Sequence, residues 1–135
     1  MVFDDNNLDT ELWSSVRTVI VDGLSSDSVT ASVVASYSGK VNTKPVVVIE
    51  PIDESFINNK FGSSHGRSDL VVNVDIFCNT NTYDLDVVSN SVKKSVKADS
   101  LSGVSFKSMT SSYDFQSVND VPFHNKHFSF SYVYE

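Results

Sequence analysis

The sequence predicts an α+β domain, with one mostly antiparallel sheet of about four to five strands and two helices packed on one face. Segments that alternate apolar and polar residues, as strands do, occupy the middle and the end of the chain, at Asp69–Cys78 and Lys126–Glu135. Two further segments, residues 8–22 and 84–98, repeat their apolar residues at helical spacing. The 135 residues are 40% hydrophobic, which suits one core, so residues 1–135 are interpreted as a single domain.

The first helix is predicted over residues 8–22. Its apolar residues recur every three or four positions: Leu8, Leu12, Val16, Val19 and Ile20. Asp5, Asn6 or Asn7 is expected to cap its start, and Gly23 is expected to end it. Trp13 lies beside this apolar stripe. It fits core packing or, because tryptophan is enriched in interface hot spots, a contact between subunits.

Two strands are predicted next, near residues 29–37 and at Val46–Ile49, with the second enclosed by Pro45 and Pro51. Residues 51–68 then form the longest irregular segment, and long loops are usually functional or flexible. We expect residues 53–68 to be mobile in the isolated subunit and to order on assembly. The predicted partner-binding residues are Phe56, Ile57, Phe61, His65 and Arg67. The alternative is that Phe56 and Phe61 fold back onto the core.

Asp69–Cys78 is predicted to be the central strand. One face is wholly apolar and the other is mixed: Leu70, Val72, Val74, Ile76 and Cys78 form the first, and Val71, Asn73, Asp75 and Phe77 form the second. Cys78 is the only cysteine, so an internal disulfide is excluded and a buried free thiol is expected. Residues 84–98 follow as the second helix. Thr82 or Asp84 is expected to cap it, and lysines near its end match the helix dipole.

The C-terminal third is predicted to hold two strands. The first starts at Leu101–Phe106 and continues weakly through Phe115, residues 117–123 form a connection, and Lys126–Glu135 is the last strand. One face of this last strand is entirely aromatic: Phe128, Phe130, Tyr132 and Tyr134. Its tyrosines could pack their rings while their hydroxyl groups reach water or a partner.

Composition excludes several classes of function. The formal net charge of −7 argues against a surface that coats DNA or RNA, although not against a protein that surrounds DNA without gripping it. The first residues show no signal peptide, and no apolar run approaches the roughly 20 residues of a membrane helix. We therefore expect a soluble protein made in a reducing, intracellular compartment, with no membrane partner.

No motif carries chemistry. His124 and His127, with Asp120 upstream, fall short of the four ligands of a structural zinc site, so no metal is expected. His65 as a base and the carboxylates of Glu50, Asp53 and Glu54 are the remaining candidates, and a solvated loop explains the carboxylates better. There is no nucleophile elbow, Walker loop or dinucleotide fingerprint. We expect no catalytic residue, no cofactor and no enzymatic activity.

The order of elements resembles the tail terminator and head–tail neck proteins of long-tailed bacteriophages and related tailed viruses. The segments that carry the resemblance cover nearly the whole chain: LDTELWSSVRTVIVDGL, KPVVVIEP, DLVVNVDIFCNT leading into DLDVVSNSVKKSV, LSGVSFKSM and HNKHFSFSYVYE. The resemblance implies a small α+β subunit without enzymatic activity or cofactor. Such subunits form hexameric rings at the top of the tail tube.

For this chain, the resemblance implies copies of itself as partners, together with the tail tube protein and neck or head-completion proteins. DNA would pass through the ring without specific binding. The protein would be located in the virion tail or neck and assembled in the host cytoplasm. The predicted subunit-interface residues are Trp13, Phe77, Tyr132 and Tyr134. Three alternatives stay open: another tail or neck subunit, a small hydrolase or metal-dependent enzyme using His65 with Glu50 or Asp53, and a monomeric binding module.

Overall fold

A computed structural model describes residues 7–37, 44–58, 66–98, 101 and 103–134. In chain order the elements are α1 (Leu8–Ser26), β1 (Ser32–Val34), β2 (Val46–Ile49), β3 (Asp53–Asn58), β4 (Gly66–Cys78), α2 (Thr82–Ala98), β5 (Ser105–Val118) and β6 (Val121–Tyr134). Both predicted helices and the predicted strands are present, and β3 is an addition.

The strands form one six-stranded sheet around β4. The order is β1-β2-β4-β6-β5, and β3 also pairs with β4. Antiparallel β2 and β3 occupy successive parts of one edge of β4, and antiparallel β6 occupies the other edge. Among the described strands, β1 and β2 are the one parallel pair. The predicted α+β class is confirmed, with six strands where four to five were expected.

Both helices pack on one face of this sheet, as predicted. Burial alternates along β4, and its buried side belongs to the same core cluster as the buried residues of α1 and α2. The buried residues of α1 lie four positions apart along its whole length: Leu8, Leu12, Val16, Ile20 and Leu24. Phe128, Phe130 and Tyr132 close this core from β6, and Cys78 is a buried free thiol as expected.

The helix ends differ from the prediction. Gly23 was expected to end α1, but the helix continues to Ser26. Asn7 holds the N-cap position without a side-chain cap hydrogen bond, while Asp5 and Asn6 lie outside the described residues. The start of α2 is capped by Asn81, whose Oδ1 accepts a hydrogen bond from the backbone N–H of Asp84 at 2.8 Å. The cap is therefore neither Thr82 nor Asp84, because an Asx cap bonds the N–H two or three positions ahead.

Two predicted connections are hairpins. Residues 51–68 were expected to be irregular, but Asp53–Asn58 pairs with Gly66–Val71 in register, with residues 59–65 outside the described part. The mobility expected of residues 53–68 in the isolated subunit stays a prediction. Residues 117–123 were expected to be a connection, but β5 pairs with β6 as far as Val118 and Val121. Asn119 and Asp120 have φ of 52° and 64°, the left-handed pair that a two-residue type I′ turn requires.

Ser89, in the middle of α2, offers a stabilising substitution. It is buried, and its Oγ has no hydrogen-bond partner among the described residues. Ser89→Ala removes an unsatisfied hydroxyl and favours the helix, so the free energy of unfolding should rise by about 0.5–1.5 kcal/mol. Urea denaturation measures the change. Ser91→Ala is the matched control: its Oγ donates to Asp27 at 2.7 Å, so its loss should lower stability by about 1 kcal/mol. Equal effects in both variants would contradict the interpretation.

Candidate functional site

The face of the sheet opposite the helices is where the described polar side chains converge. We call it the open face. Its side chains come from the alternate residues of the two central strands: Asn73, Asp75 and Phe77 of β4, and Asn125, His127 and Ser129 of β6. All six are intermediate in exposure, whereas the β4 residues next to Asn73, Asp75 and Phe77 are buried, as are Phe128 and Phe130 on either side of Ser129. The open face therefore combines a hydrogen-bonded polar network with an apolar pocket.

The polar network links three strands through a continuous series of hydrogen bonds. The Nδ2 of Asn73 donates to Asp53 Oδ2 at 3.1 Å, and its Oδ1 accepts from the Ser129 hydroxyl at 2.7 Å. Ser129 Oγ lies 3.1 Å from His127 Nε2. The Nδ1 of His127 is 2.8 Å from Asp75 Oδ1. The network ties β3, β4 and β6 together across the open face.

Asp75, His127 and Ser129 have the order of contacts of a serine hydrolase triad. The Ser129 hydroxyl, however, gives its single hydrogen to Asn73, so it does not donate to His127 Nε2 as the nucleophile of a triad does. Ser129 also lies within a strand that pairs with β4 on one side and β5 on the other. Neighbouring backbone N–H groups are used by the sheet and cannot form an oxyanion hole. The arrangement links strands and does not activate a nucleophile.

The carboxylates of the described residues do not form a metal centre. No group of three or more His, Cys, Asp or Glu side chains in the described ranges is placed to hold a metal ion. His124 and His127 face opposite sides of β6: His124 is bonded to the hydroxyl of Tyr113 at 2.8 Å, while His127 belongs to the polar network. Their spacing of three places them on different faces of a strand.

Glu50 extends this network through a hydrogen bond between its carboxyl group and that of Asp75. A hydrogen bond with Asp75, together with burial and the charge of that carboxylate, raises the pKa of Glu50 to about 7. Burial opposes ionisation of Asp75, but hydrogen bonds with Glu50, His127 and Asn125 hold the pKa of Asp75 below its usual value. Of the two carboxyls, Glu50 therefore holds the proton and Asp75 the charge.

Stability should consequently depend on pH through Glu50. Its pKa is raised from 4.5 to about 7 on folding, so its favourable contribution is complete below about 4.5 and is lost as the pH rises through 7. The loss should be about 1–2 kcal/mol after allowing for solvent screening. Glu50→Gln, which resembles the protonated form, should remove this dependence. Urea midpoints between pH 5 and 8 test it, with exposed Asp86→Asn as control. Identical pH profiles for wild type and Glu50→Gln would contradict it.

The apolar pocket lies at the end of the open face where β4 finishes. The rings of Tyr37 and Phe77 stack there, with centroids 4.2 Å apart and planes 7° from parallel. Val118 and Phe123 complete the apolar lining of a cavity of about 340 Å³, whose polar lining consists of Asp114, Gln116 and Asn125. The cavity is wide enough for an aromatic side chain and opens to solvent.

Two hairpins frame the sheet, and we call them arms. The first arm is β3 with Gly66–Val71 of β4, and the second arm is Ser111–Val118 of β5 with Val121–Phe128 of β6. The first arm projects from the end where β4 begins. The turn of the second arm lies beyond the other end, because His124 is the partner of Cys78. The arms thus mark opposite ends of one sheet.

Three of the five predicted partner-binding residues, Phe56, Ile57 and Arg67, belong to the first arm. Phe56 is 62% exposed and does not fold back onto the core. Ile57 is paired with Arg67 in the backbone register, and Arg67 is an exposed side chain bonded to Asp69 at 2.9 Å. Phe61 and His65 lie outside the described residues. The described part of this set therefore sits together on one projecting hairpin.

The four predicted interface residues lie in different environments. Trp13 is half-buried against the core and its Nε1 donates to the carbonyl of Ile49 at 2.9 Å, which accounts for it within the subunit. Tyr132 is buried in the core and Tyr134 packs partly against it, so neither offers a broad surface to a neighbour. Phe77 lies on the open face, in the apolar pocket. Phe77 is thus the one of the four on the open face, and a subunit contact stays a prediction for all four residues.

The second arm was missed as a candidate surface. Tyr113, Phe115 and Val118 are about half exposed there, and Phe123 lines the apolar pocket. The signal lay in the turn, where an Asn-Asp pair stands between Val118 and Val121. Such a pair between apolar residues is a hairpin signature, and hairpin tips carry exposed side chains.

Comparison with known proteins is informative at the level of the fold. No protein-family model matches the sequence, and no curated protein matches it. Among solved structures, a chain from the virion of a native gene transfer agent particle is similar. The TM-score is 0.52 at 13% identity, over 87% of this chain and 93% of that one. The likeness includes nearly all of both chains and concerns the fold.

None of the described helices is both long enough and apolar enough to cross a bilayer.

Proposed function

We propose that this protein is a structural component of a virion or virion-like particle. Within such a particle, we propose that it forms a hexameric ring at the head–tail junction and caps the tail tube as a tail terminator. The observation that carries the proposal is the shared fold with a virion-particle chain, which extends over 87% of this chain. The similar order of elements in tail terminator and neck proteins supports the position in the tail or neck.

The distribution of exposed surface supports assembly. A closed ring of identical subunits needs two different contact surfaces on each copy, arranged so that one meets the other on the next copy. The first arm and the pocket end of the open face are two such surfaces at opposite ends of the sheet. The exposed Phe56 and the half-exposed Phe115 are apolar groups that a partner would cover.

The charge supports passage of DNA without specific binding. Six copies would carry a formal charge of 6 × −7 = −42. A predominantly acidic channel repels phosphate groups, so DNA would move through it without adhering. The partners are then copies of the chain itself, the tail tube protein and neck or head-completion proteins. The proposed role requires no enzymatic activity or cofactor, and the assembly would form in the host cytoplasm.

Native mass spectrometry over a concentration series tests the proposal, with negative-stain images of the same samples. We expect either a closed hexamer or a monomer that closes into rings when tail tubes are added. A protein that stays monomeric in both conditions would reject the ring and favour a monomeric binding module.

A tail tube or head-completion subunit is the second candidate, because the fold likeness does not distinguish positions within a particle. The edge of β5 favours it: within the described residues, β5 pairs with β6 along one side and presents the other side unpaired over Ser105–Val118. Unpaired edges promote further strand pairing. In the same images, a tube subunit would form helical polymers of variable length, and a terminator would form single closed rings.

A further inference from the structure

We propose that two carboxyl pairs fasten the first arm to the rest of the domain, and that release of the arm becomes more favourable as the pH rises through neutrality. One pair is Glu50 with Asp75 on the open face. The other is Asp9 with Glu54 on the face that the helices cover, which we call the helix face. In the released arm, β3 separates from β4 while the other strands and both helices keep their places. The inference concerns a single copy of the chain and does not require a ring.

The first arm has little apolar packing to hold β3 in place. The described side chains of β3, at positions 53–56, are exposed, and none of them belongs to the core cluster. Strand β3 pairs with β4 along one side, and no strand among the described residues pairs with its other side. Segments with few buried apolar contacts open at a lower free energy than the domain as a whole. Polar side-chain contacts therefore matter more for β3 than for the strands of the core.

Those polar contacts hold β3 from both faces of the sheet. On the open face, Asp53 Oδ2 accepts a hydrogen bond from Asn73 Nδ2 at 3.1 Å. On the helix face, Glu54 Oε2 accepts one from the hydroxyl of Ser68, a buried residue of β4, at 2.6 Å. Glu54 is also hydrogen-bonded to the carboxyl of Asp9, in the first turn of α1. The arm is thus connected to the core through acidic side chains.

A hydrogen bond between two carboxyl groups lasts only while one of them is protonated. Once both are ionised, neither can donate and their charges repel. The described charged groups that act on Glu50 come from three strands: Asp75 of β4, Asp53 of β3 and His127 of β6. Two of these three are acidic, and His127 Nδ1 already lies 2.8 Å from Asp75. Ionisation of Glu50 therefore places three carboxylates together where β2 leads into β3.

The other charged groups around the arm do not neutralise the two pairs. On the helix face, Glu54 is the charged group that acts on Asp9, and Tyr134 of β6, opposite position 68 in the register, is titratable on the same face. On the open face, Arg67 and Asp69 are bonded to each other at 2.9 Å. Both pairs consequently depend on a proton for their attraction.

The two pairs respond to pH in the same direction. Burial and the carboxylate of Glu54 raise the pKa of Asp9. The hydrogen bond with Asp75 and burial raise the pKa of Glu50 from 4.5 to about 7. In the released arm both carboxyls regain ordinary values, so protonation favours the fastened arm. Its advantage is complete below the ordinary pKa and is lost as the pH rises through the raised one, near 7 for Glu50.

Release would change how the arm is presented to a partner. Phe56 is 62% exposed on the fastened arm, and Ile57 and Arg67 lie opposite each other on its two strands. A fastened arm holds these residues in fixed positions, whereas a released arm must be ordered again on binding, which weakens affinity. Binding through the first arm should therefore be favoured in acid.

Hydrogen exchange of backbone amides at pH 5 and pH 8, followed by mass spectrometry and corrected for the intrinsic effect of pH on exchange, tests the release. Between these two pH values, protection of Asp53–Asn58 should fall about tenfold, allowing for solvent screening of Glu50. The exchange of these amides should not change with low concentrations of urea, because local opening exposes little surface. Exchange of Phe128–Tyr134 in β6, which requires global unfolding, should accelerate with urea.

Two variants replace one acid of each pair by its neutral amide, which can donate to the partner at every pH. Glu50→Gln should remove most of the tenfold change, and Asp9→Asn should raise the protection of β3 at pH 8 severalfold. Asp69→Asn is the matched control. Asp69 is a carboxylate on the same arm, but its partner is Arg67, so the pH-dependent change should stay within twofold of wild type.

Three results would overturn the proposal. The first is protection of β3 that is the same at pH 5 and pH 8 in wild type. The second is a tenfold change that persists in Glu50→Gln. The third is exchange of β3 with the same protection and the same urea dependence as β6, because the arm would then open only when the whole domain unfolds. None of these results bears on ring formation.

Discussion

Phe130→Ala is expected to lower the free energy of unfolding by about 3–5 kcal/mol, the usual cost of deleting a large side chain from a packed core. Phe130 is completely buried at the centre of β6. Its ring lies between those of Phe128 and Phe106, with centroid distances of 5.5 Å and 6.4 Å. A domain of this size is stabilised by roughly 5–15 kcal/mol in total. The variant should therefore unfold at a much lower urea concentration, followed by circular dichroism.

Phe115→Ala is the control for this prediction. It removes the same side chain from the same hairpin, but Phe115 is half exposed and touches only the ring of His124 among the aromatic contacts described, at 5.0 Å between centroids. Its loss should cost less than about 1 kcal/mol. If both variants lost equal stability, the second arm would have to be as tightly packed as the centre of the sheet, contrary to the structure.

The helices and strands that were predicted correctly are those in which burial of one face makes apolar residues recur at a regular spacing in the sequence. β4 is covered by helices on one face only, so its apolar and polar residues alternate over nearly its whole length. The two helices could be predicted for the same reason, because each buries one stripe of apolar residues against the sheet. Gly23 is the exception in α1, because glycine predicts a helix end there although the residue lies within the helix.

The strands that were missed are stabilised by backbone pairing with a neighbouring strand, and their sequences show no regular spacing of apolar residues. β3 has the sequence DESFIN, without alternation, and becomes a strand because β4 supplies backbone partners along all six residues. The outer part of β5 is exposed on both faces, so no burial pattern marks it. Strand propensity depends on neighbours that only the fold reveals.

The polar network and the apolar pocket could not be predicted for a related reason. Asp75 and His127 are 52 residues apart, and they meet because the register places them opposite each other in β4 and β6. A shift of one residue in that register would turn one of them towards the core. The candidate residues were identifiable by type, but their grouping on the open face follows from strand order and register.

Gly23→Ala is expected to destabilise the protein by about 2 kcal/mol, although alanine favours helices by about 1 kcal/mol over glycine. A Cβ at position 23 would lie 2.7 Å from Ser95 Cβ on α2, closer than real carbon contacts, and closer still to its Oγ. The hydroxyl can rotate, but Cβ is fixed to the α2 backbone. The helices would have to separate and loosen the core between them. Urea denaturation measures the loss.

Changing Ser95 identifies the origin of that loss. Ser95→Ala keeps the obstructing Cβ, so Gly23→Ala should remain as costly in this background. Ser95→Gly removes it, and the double-mutant cycle should then show a favourable coupling of about 1–2 kcal/mol. If Gly23 acted as a helix terminator instead, Gly23→Ala would stabilise α1 in every background, since alanine is the better helix former. The sign of the single-variant effect therefore distinguishes a glycine required by helix packing from one that ends a helix.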